Sequence, residues 1–309
     1  MIVTLTLNPA LDKSTEMERL IPEKKMRCAE MRTEAGGGGI NISKAIKTLG
    51  GEALSIFPSG GMNGRKIESL LEEAGIPFQT IPLAGETREN FVARELSTNK
   101  QFRFVMPGAS LTEQDLDHCR SVLEQLSSKI SYLVMSGSLP PGVPDSFLAE
   151  LAKFAHQKGF KFIADTSGKP LQQAVEEGVY LLKPNLTELG TLVGKDWLDL
   201  PEIETAAEKV LQQGRCQVIV VSMGPSGALL VTGKEKKKFN APAVKKLSTV
   251  GAGDSMVAGI VYQLQNGADL ETAVRFGVAC GTAATMNKGT RLFSKEDVEK
   301  LHNWMLQHP

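Results

Sequence analysis

Four cysteines, Cys28, Cys119, Cys216 and Cys280, are all that 309 residues contain, and they stand far apart with no paired spacing. That argues against a zinc site, whose ligands tend to come in close pairs, and against a disulfide framework. A reducing, cytoplasmic compartment is the expectation. An excess of charge is missing too, since 35 basic residues balance 35 acidic ones. Neither nucleic acid nor an anionic membrane is therefore expected as a general partner, and any anion must be bound locally. No apolar run approaches the roughly 18 residues of a membrane span. Residues Met1-Ile2-Val3-Thr4-Leu5-Thr6-Leu7 carry no basic leader and alternate like a strand, unlike a signal peptide. Internal repeats and low-complexity tracts are absent as well.

What is there reads as an ordinary globular chain, 41% hydrophobic and 23% charged. It is long enough for one large domain, expected to span 1–309. Short apolar runs at Ile2–Leu7, Ala53–Phe57, Tyr132–Met135, Phe160–Ala164, Tyr180–Leu182 and Val218–Val221 read as buried strands. Helical periodicity falls between them, at Ile40–Leu49, Lys66–Ala74, Asp115–Leu126, Ser146–Gln157 and Ile203–Gln213. The alternation predicts βαβ units and an α/β fold with a mostly parallel central sheet flanked by helices. After Asp254 the chain is expected to be helical to its end, near Asp254–Gln265, Leu270–Met286 and Lys295–Gln307. Two polar, basic stretches, 13–32 and 88–106, break the pattern. They are expected to form a small β-sheet lid, with Thr98-Asn99-Lys100-Gln101 as a hairpin turn between Phe91–Leu96 and Phe102–Val105. The alternative is a pair of surface excursions without function.

The most informative stretch is Ser248-Thr249-Val250-Gly251-Ala252-Gly253-Asp254-Ser255, followed by an amphipathic run from Met256 to Leu264. Glycines before a helix let the backbone turn tightly, and a helix amino terminus presents unpaired N–H groups and a positive dipole end. An acid in that first turn can take a proton from an alcohol while the amides hold a phosphate. Those are the parts that phosphoryl transfer needs. The plain alternative is an acid that only stabilises a helix start.

Other motifs fit the same chemistry. Gly36-Gly37-Gly38-Gly39-Ile40-Asn41 opens the first long helix and suits a sugar or phosphate resting on a helix amino terminus, although glycine runs are often plain linkers. Asp12 closes Asn8-Pro9-Ala10-Leu11-Asp12 after the first strand, where α/β sheets bind ligands, and could accept hydrogen bonds from two hydroxyls or merely cap a turn. Lys25, Arg27, Arg88 and Arg103 lie in the lid and together would suit a phosphate, whereas each alone reads as a solvated charge. In Lys183-Pro184-Asn185-Leu186-Thr187-Glu188, an amide and a carboxylate one turn apart could hold hydrated magnesium, with Lys183 on nucleotide phosphates; the competing reading is a helix cap. Ser222-Met223-Gly224-Pro225-Ser226-Gly227 could wrap a nucleotide or be a hairpin turn before Ala228–Val231. Neither a Walker loop nor a dinucleotide fingerprint sits in a strand–turn–helix context.

Assembled in this order, the motifs resemble the ribokinase-like (PfkB) family of carbohydrate kinases along the whole chain. Asn8-Pro9-Ala10-Leu11-Asp12, Gly39-Ile40-Asn41, Ser136-Gly137-Ser138-Leu139-Pro140-Pro141-Gly142, Lys183-Pro184-Asn185 with Glu188, and Thr249-Val250-Gly251-Ala252-Gly253-Asp254 carry the likeness. It is closest to the phosphosugar branch, and within that to the minor bacterial type of ATP-dependent 6-phosphofructokinase. The glycine run lacks the lysine (Gly-Gly-Lys-Gly) usual in 1-phosphofructokinases and tagatose-6-phosphate kinases. Arg103-Phe104-Val105-Met106-Pro107-Gly108-Ala109 and Lys25-Met26-Arg27-Cys28 point the same way.

The resemblance implies ATP, Mg2+ and a ketohexose phosphate, fructose 6-phosphate first. The alternatives are the substrates of 1-phosphofructokinase and tagatose-6-phosphate kinase, or a sensor that binds sugar phosphate without catalysis. It implies Asp254 as general base and Gly251, Ala252 and Gly253 as anion hole. Asp12, Gly38, Gly39 and Asn41 would hold the sugar, and Lys25, Arg27, Arg88, Arg103 and Ser138 its phosphate. Lys183, Asn185 and Glu188 would serve nucleotide phosphates and, through water, magnesium. Ser222, Gly224, Gly227 and Thr249 would line the nucleotide. A potassium site would fall at Ser248, Val250, Ala284, Asn287, Gly289 and Arg291. A homodimer through the lid is implied by the same analogy.

Overall fold

The structure is a computed structural model and describes residues 1–287 and 292–308. In chain order the elements are β1 (Ile2–Leu5), β2 (Ala10–Met17), β3 (Arg32–Gly36), α1 (Gly38–Thr48), β4 (Ala53–Ser59), α2 (Gly61–Glu73), β5 (Phe78–Pro82), β6 (Arg88–Glu95), β7 (Lys100–Val105), α3 (Glu113–Leu126), β8 (Tyr132–Ser136), α4 (Phe147–Lys158), β9 (Lys161–Asp165), α5 (Gly168–Glu177), β10 (Leu181–Leu182), α6 (Leu186–Leu192), α7 (Glu202–Gln213), β11 (Val218–Ser222), β12 (Ala228–Thr232), β13 (Lys236–Phe239), α8 (Ala252–Gln265), α9 (Leu270–Thr285) and α10 (Lys295–Gln307).

Nine strands form one sheet in the order β13-β12-β11-β10-β9-β8-β1-β4-β5. From β5 to β11 every pairing is parallel, and β12 and β13 add an antiparallel edge. The physical basis is period-two alternation with both faces apolar. In β8, Leu133 and Met135 pack into one core with α3, α4, α5, α6 and α7, while Tyr132 and Val134 enter the other with α1, α8, α9 and α10. In β11, Ile219 and Val221 divide from Val218 and Val220 in the same way. Each fully buried aliphatic side chain contributes about 1.5–3 kcal/mol over leaving it in water, which is why these strands are almost unbroken apolar runs. Among the described residues no helix is long and apolar enough to cross a membrane.

A second sheet has the order β3-β2-β6-β7. It seats Leu11 and Ala35 on a small third core with Ile40, Phe57, Ile67 and Leu71, so α1 and α2 anchor it to the main body. It is the small sheet expected from 13–32 and 88–106, with shifted bounds. β2 begins at Ala10, so Asp12 stands inside a strand of this sheet, in register with Glu34 and Asn90, and not in a turn after β1. Most of 18–31 is exposed connection. The hairpin turn lies at 96–99, with Asn99 in the left-handed conformation (φ 57°) that asparagine tolerates, while Lys100 and Gln101 already belong to β7.

Several elements escaped the sequence reading, β5 at Phe78–Pro82 among them. β13 is Lys236-Lys237-Lys238-Phe239, whose lysines hide any apolar alternation and suit an edge strand. Helix α5 opens with Gly168-Lys169-Pro170, a breaker-rich start that proline tolerates only in a first turn. By contrast, α3 starts where Thr112 and Asp115 form a reciprocal capping box, two residues before its expected bound.

Candidate active site

The parallel strands of the large sheet all end along one edge, and the chemistry-bearing residues collect there. Ser136 closes β8 and Asp165 closes β9, in register with each other. Lys183 follows β10, and Ser222 closes β11 and bridges to Asn185.

Asp254 lies in the first turn of α8, which packs against α1. The turn is possible because Gly251 caps the helix at φ 71°, and a Cβ there would come within 2.6 Å of Leu292. The first N–H groups of α8 have no carbonyl one turn earlier within the helix, and that of Ala252 donates instead to Thr249 O at 3.4 Å. Both carboxylate oxygens of Asp254 are held. Asn41 Nδ2 donates to Oδ2 at 2.9 Å, and Ser136 Oγ lies 3.3 Å from Oδ1. Burial, then the anion of Asp165, push the Asp254 pKa up to about 6, against the opposing pull of Asn41, Lys183 and Ser136. An acid tuned near neutrality is what a general base requires.

Lys183 Nζ sits 3.1 Å from Asp165 Oδ1, and its side chain is 6% exposed. Burial works against its charge, but Asp165, with help from Glu188 and Asp254, outweighs it and lifts the pKa above the usual lysine range. The ammonium is 3.3 Å from where a Cβ on Gly253 would stand, directly beneath the glycine turn. Asn185 and Glu188 form a capping box on α6: Glu188 N donates to Asn185 Oδ1 (2.9 Å) and Asn185 N to Glu188 Oε2 (2.8 Å). The helix-cap reading of this motif is therefore realised. It does not exhaust the carboxylate, which has lone pairs left; burial pushes its pKa up. Gly224 and Thr249 are exposed, Gly227 is buried, and Ser222 Oγ reaches Pro184 O at 3.4 Å.

The glycine run lies against the same edge. A Cβ on Gly38 would collide with the Ser136 hydroxyl, and one on Gly39 with Thr6 Oγ1. Asp12 accepts from Asn90 Nδ2 at 2.9 Å; burial raises its pKa, while Asn90, Lys44 and Arg88 oppose the rise. Arg88 begins β6 and donates to the carbonyls of Asn8 (2.9 Å), Met106 (3.1 Å) and Pro9 (3.4 Å). Ser138 is exposed and accepts from Asn8 Nδ2 at 3.1 Å. Lys25, Arg27 and Arg103 are all exposed. Arg103 stands opposite Val92, four residues along β6 from Arg88 and so about 13 Å away.

At the candidate cation positions, the N–H groups of Leu247 and Ser248 reach Thr285 O (2.8 and 3.3 Å), joining that segment to the carboxyl end of α9. Ala284 O accepts from Asn287 N there at 3.3 Å. Gly289 and Arg291 lie outside the described residues.

Sequence reasoning missed Ser136, Asp165, Asn90 and Lys44. The first two were within reach, because polar residues at the carboxyl ends of predicted parallel strands face the ligand edge, the rule already applied to Asp12. Asn90 and Lys44 become visible through strand register and helix packing.

The chain matches the profile of the pfkB family carbohydrate kinases over residues 5–297. It is 42% identical over 299 residues to the ATP-dependent 6-phosphofructokinase isozyme 2 of Mycobacterium tuberculosis, covering 97% of this chain and 88% of that one. A 1-phosphofructokinase of Borreliella burgdorferi is 34% identical over 303 residues, covering 97% and 96%. Among solved structures, phosphofructokinase-2 from Escherichia coli in complex with potassium superposes with a TM-score of 0.93 at 42% identity, over 99% of both chains.

Proposed function

We propose that this chain, which belongs to the pfkB family of carbohydrate kinases, transfers the terminal phosphoryl group of ATP to the free primary hydroxyl of a ketohexose phosphate, converting fructose 6-phosphate to fructose 1,6-bisphosphate. One observation carries the reading. A carboxylate whose pKa is pushed up to about 6 stands in the first turn of a glycine-capped helix, beside that helix's amino-terminal amides. The 6-phosphofructokinase relative at 42% identity, against 34% for the 1-phosphofructokinase, supports the choice of substrate.

Asp254 takes the proton of the attacking hydroxyl, and the amides of Gly251, Ala252 and Gly253 receive the charge that develops on the transferred group. Asp12, Gly38, Gly39 and Asn41 orient the sugar. Arg88 takes its phosphate, with Lys25, Arg27, Arg103 and Ser138 as outer contacts. Lys183 neutralises nucleotide phosphates, which Ser222, Gly224, Gly227 and Thr249 flank. Magnesium fits the oxygen donors here: Glu188, through water, and Asn185 would hold it, and when bound it offsets phosphate charge. The carbonyl-rich carboxyl end of α9, next to Ser248 and Val250, suits potassium. The chain acts as one domain, in the cytoplasm, and pairs with a second copy through the small sheet.

A coupled assay of ADP release across fructose 6-phosphate, fructose 1-phosphate and tagatose 6-phosphate tests the reading. The expected result is the highest kcat/KM on fructose 6-phosphate. Preference for either other sugar would reassign the substrate, and binding without ADP release would make the protein a sensor.

A further inference from the structure

The hydroxyl of Ser136 occupies an unusual position. It lies 3.3 Å from Asp254 Oδ1 and 3.3 Å from Asp165 Oδ2, so one hydrogen serves two carboxylates. Ser136 is 2% exposed, and its strand is paired on both sides, to β1 and to β9. The hydroxyl therefore has little freedom to leave. Gly38 has no side chain where any Cβ would strike this oxygen, so the glycine run is shaped around it as much as around a ligand. Asp165 in turn is the ion-pair partner of Lys183. A continuous path results: base, hydroxyl, second carboxylate, buried lysine.

We propose that Ser136 is a positioning residue for the phosphoryl-transfer reaction, sharing its single hydrogen between Asp254 and Asp165 and so tying the orientation and ionisation of the base to the buried Asp165–Lys183 pair. The inference rests on Asp254 acting as base. No covalent bond of Ser136 is made or broken. The sugar O–H breaks, an O–H forms on Asp254, and the serine hydrogen turns further toward Asp165 as Asp254 loses its charge. The charges facing Asp254 are Asp165 at the end of β9 and Lys183 after β10; α1 presents the neutral Asn41. Asp165 raises the base's affinity for a proton, while Lys183, Asn41 and Ser136 lower it.

Two substitutions read this link from opposite ends. In Ser136→Ala the base loses a donor, so the acid limb of kcat/KM for the sugar phosphate should move up by roughly one pH unit. Its kcat should fall about tenfold, the effect of a hydrogen bond to a charged group, with KM within about twofold of the parent. In Asp165→Asn the neighbouring anion is gone and the serine hydrogen is free for Asp254, so the limb should move down. Opposite movements support the proposal. A folded Ser136→Ala enzyme with an unmoved limb, or both limbs moving the same way, would overturn it. If Ser136→Ala does not fold, Ser136→Cys, a weaker donor of similar size, should show the same upward movement, and an unmoved limb there would be equally decisive. Full activity in Asp254→Asn would instead remove the base itself, a failure distinguishable from this one.

Discussion

The two ends of the cleft are built differently. At the α8 end, five side chains from three strand ends and two helices lock together: Asp254, Asn41, Ser136, Asp165 and Lys183. At the small-sheet end, Arg88 alone of the four basic candidates is tied down, by three carbonyls, while Lys25, Arg27 and Arg103 stand in water. The contrast follows from the two jobs. Proton removal and charge stabilisation need groups fixed and desolvated in advance. Capture of a sugar phosphate tolerates mobile charges whose attraction acts over a distance. Perturbing the first end should therefore change turnover, and perturbing the second should change apparent affinity.

The largest effect belongs to Asp254→Asn. It should lower kcat by about 10²–10⁴ and leave the sugar-phosphate KM near its parent value, the size expected for a general base. Its melting temperature should hold or rise, because a carboxylate whose pKa is raised by burial costs stability once ionised. The parent enzyme gives the complementary reading. The base must be ionised to accept a proton, and burial moves its pKa up to about 6. Activity should thus be full above that pH and kcat/KM should fall about tenfold per unit below it. A limb near pH 4, the ordinary carboxylate range, would contradict the desolvated environment of the site.

Which parts of this were legible beforehand follows from the range of the forces involved. The large sheet could be read because strands buried on both faces must be apolar throughout, as Val218–Val221 shows. Asp254 and the glycine turn could be read because cap and acid are neighbours in sequence. Asp12 was found, and found after the first strand, but its place inside β2 was not, since that strand pairs Asp12 with Asn90 of β6 and no local pattern encodes so distant a partner. Ser136, named only within a motif, and Asp165 were given no role for a related reason. Each is unremarkable alone, and their meaning comes from standing side by side at the ends of adjacent strands.

Arg88→Ala should rank second. The guanidinium donates in three directions at the start of β6, and Asp12 is close enough to counter the lowering of its pKa by burial. Loss of a charge-assisted contact to a phosphate should raise the sugar-phosphate KM roughly 10- to 100-fold with kcat nearly kept. The KM for ATP should not move. A fall in kcat as large as that of Asp254→Asn would mean that Arg88 organises the reacting end as well, erasing the difference between the two regions.

The smallest effects should come from Lys25→Ala, Arg27→Ala and Arg103→Ala. A solvent-exposed charge contributes about 0.2–1 kcal/mol to an ion contact, which is at most about a fivefold rise in KM, and salt screens it. Each rise should therefore shrink when KM is measured at high ionic strength, whereas that of Arg88→Ala should largely persist. A salt-insensitive rise of about tenfold or more at Lys25 would show that the exposed connection between β2 and β3 loses its water in the working enzyme. Closure over the sugar phosphate or burial by a second copy would each do that. Repeating the measurement across protein concentration separates them, since only the second depends on how much enzyme is present.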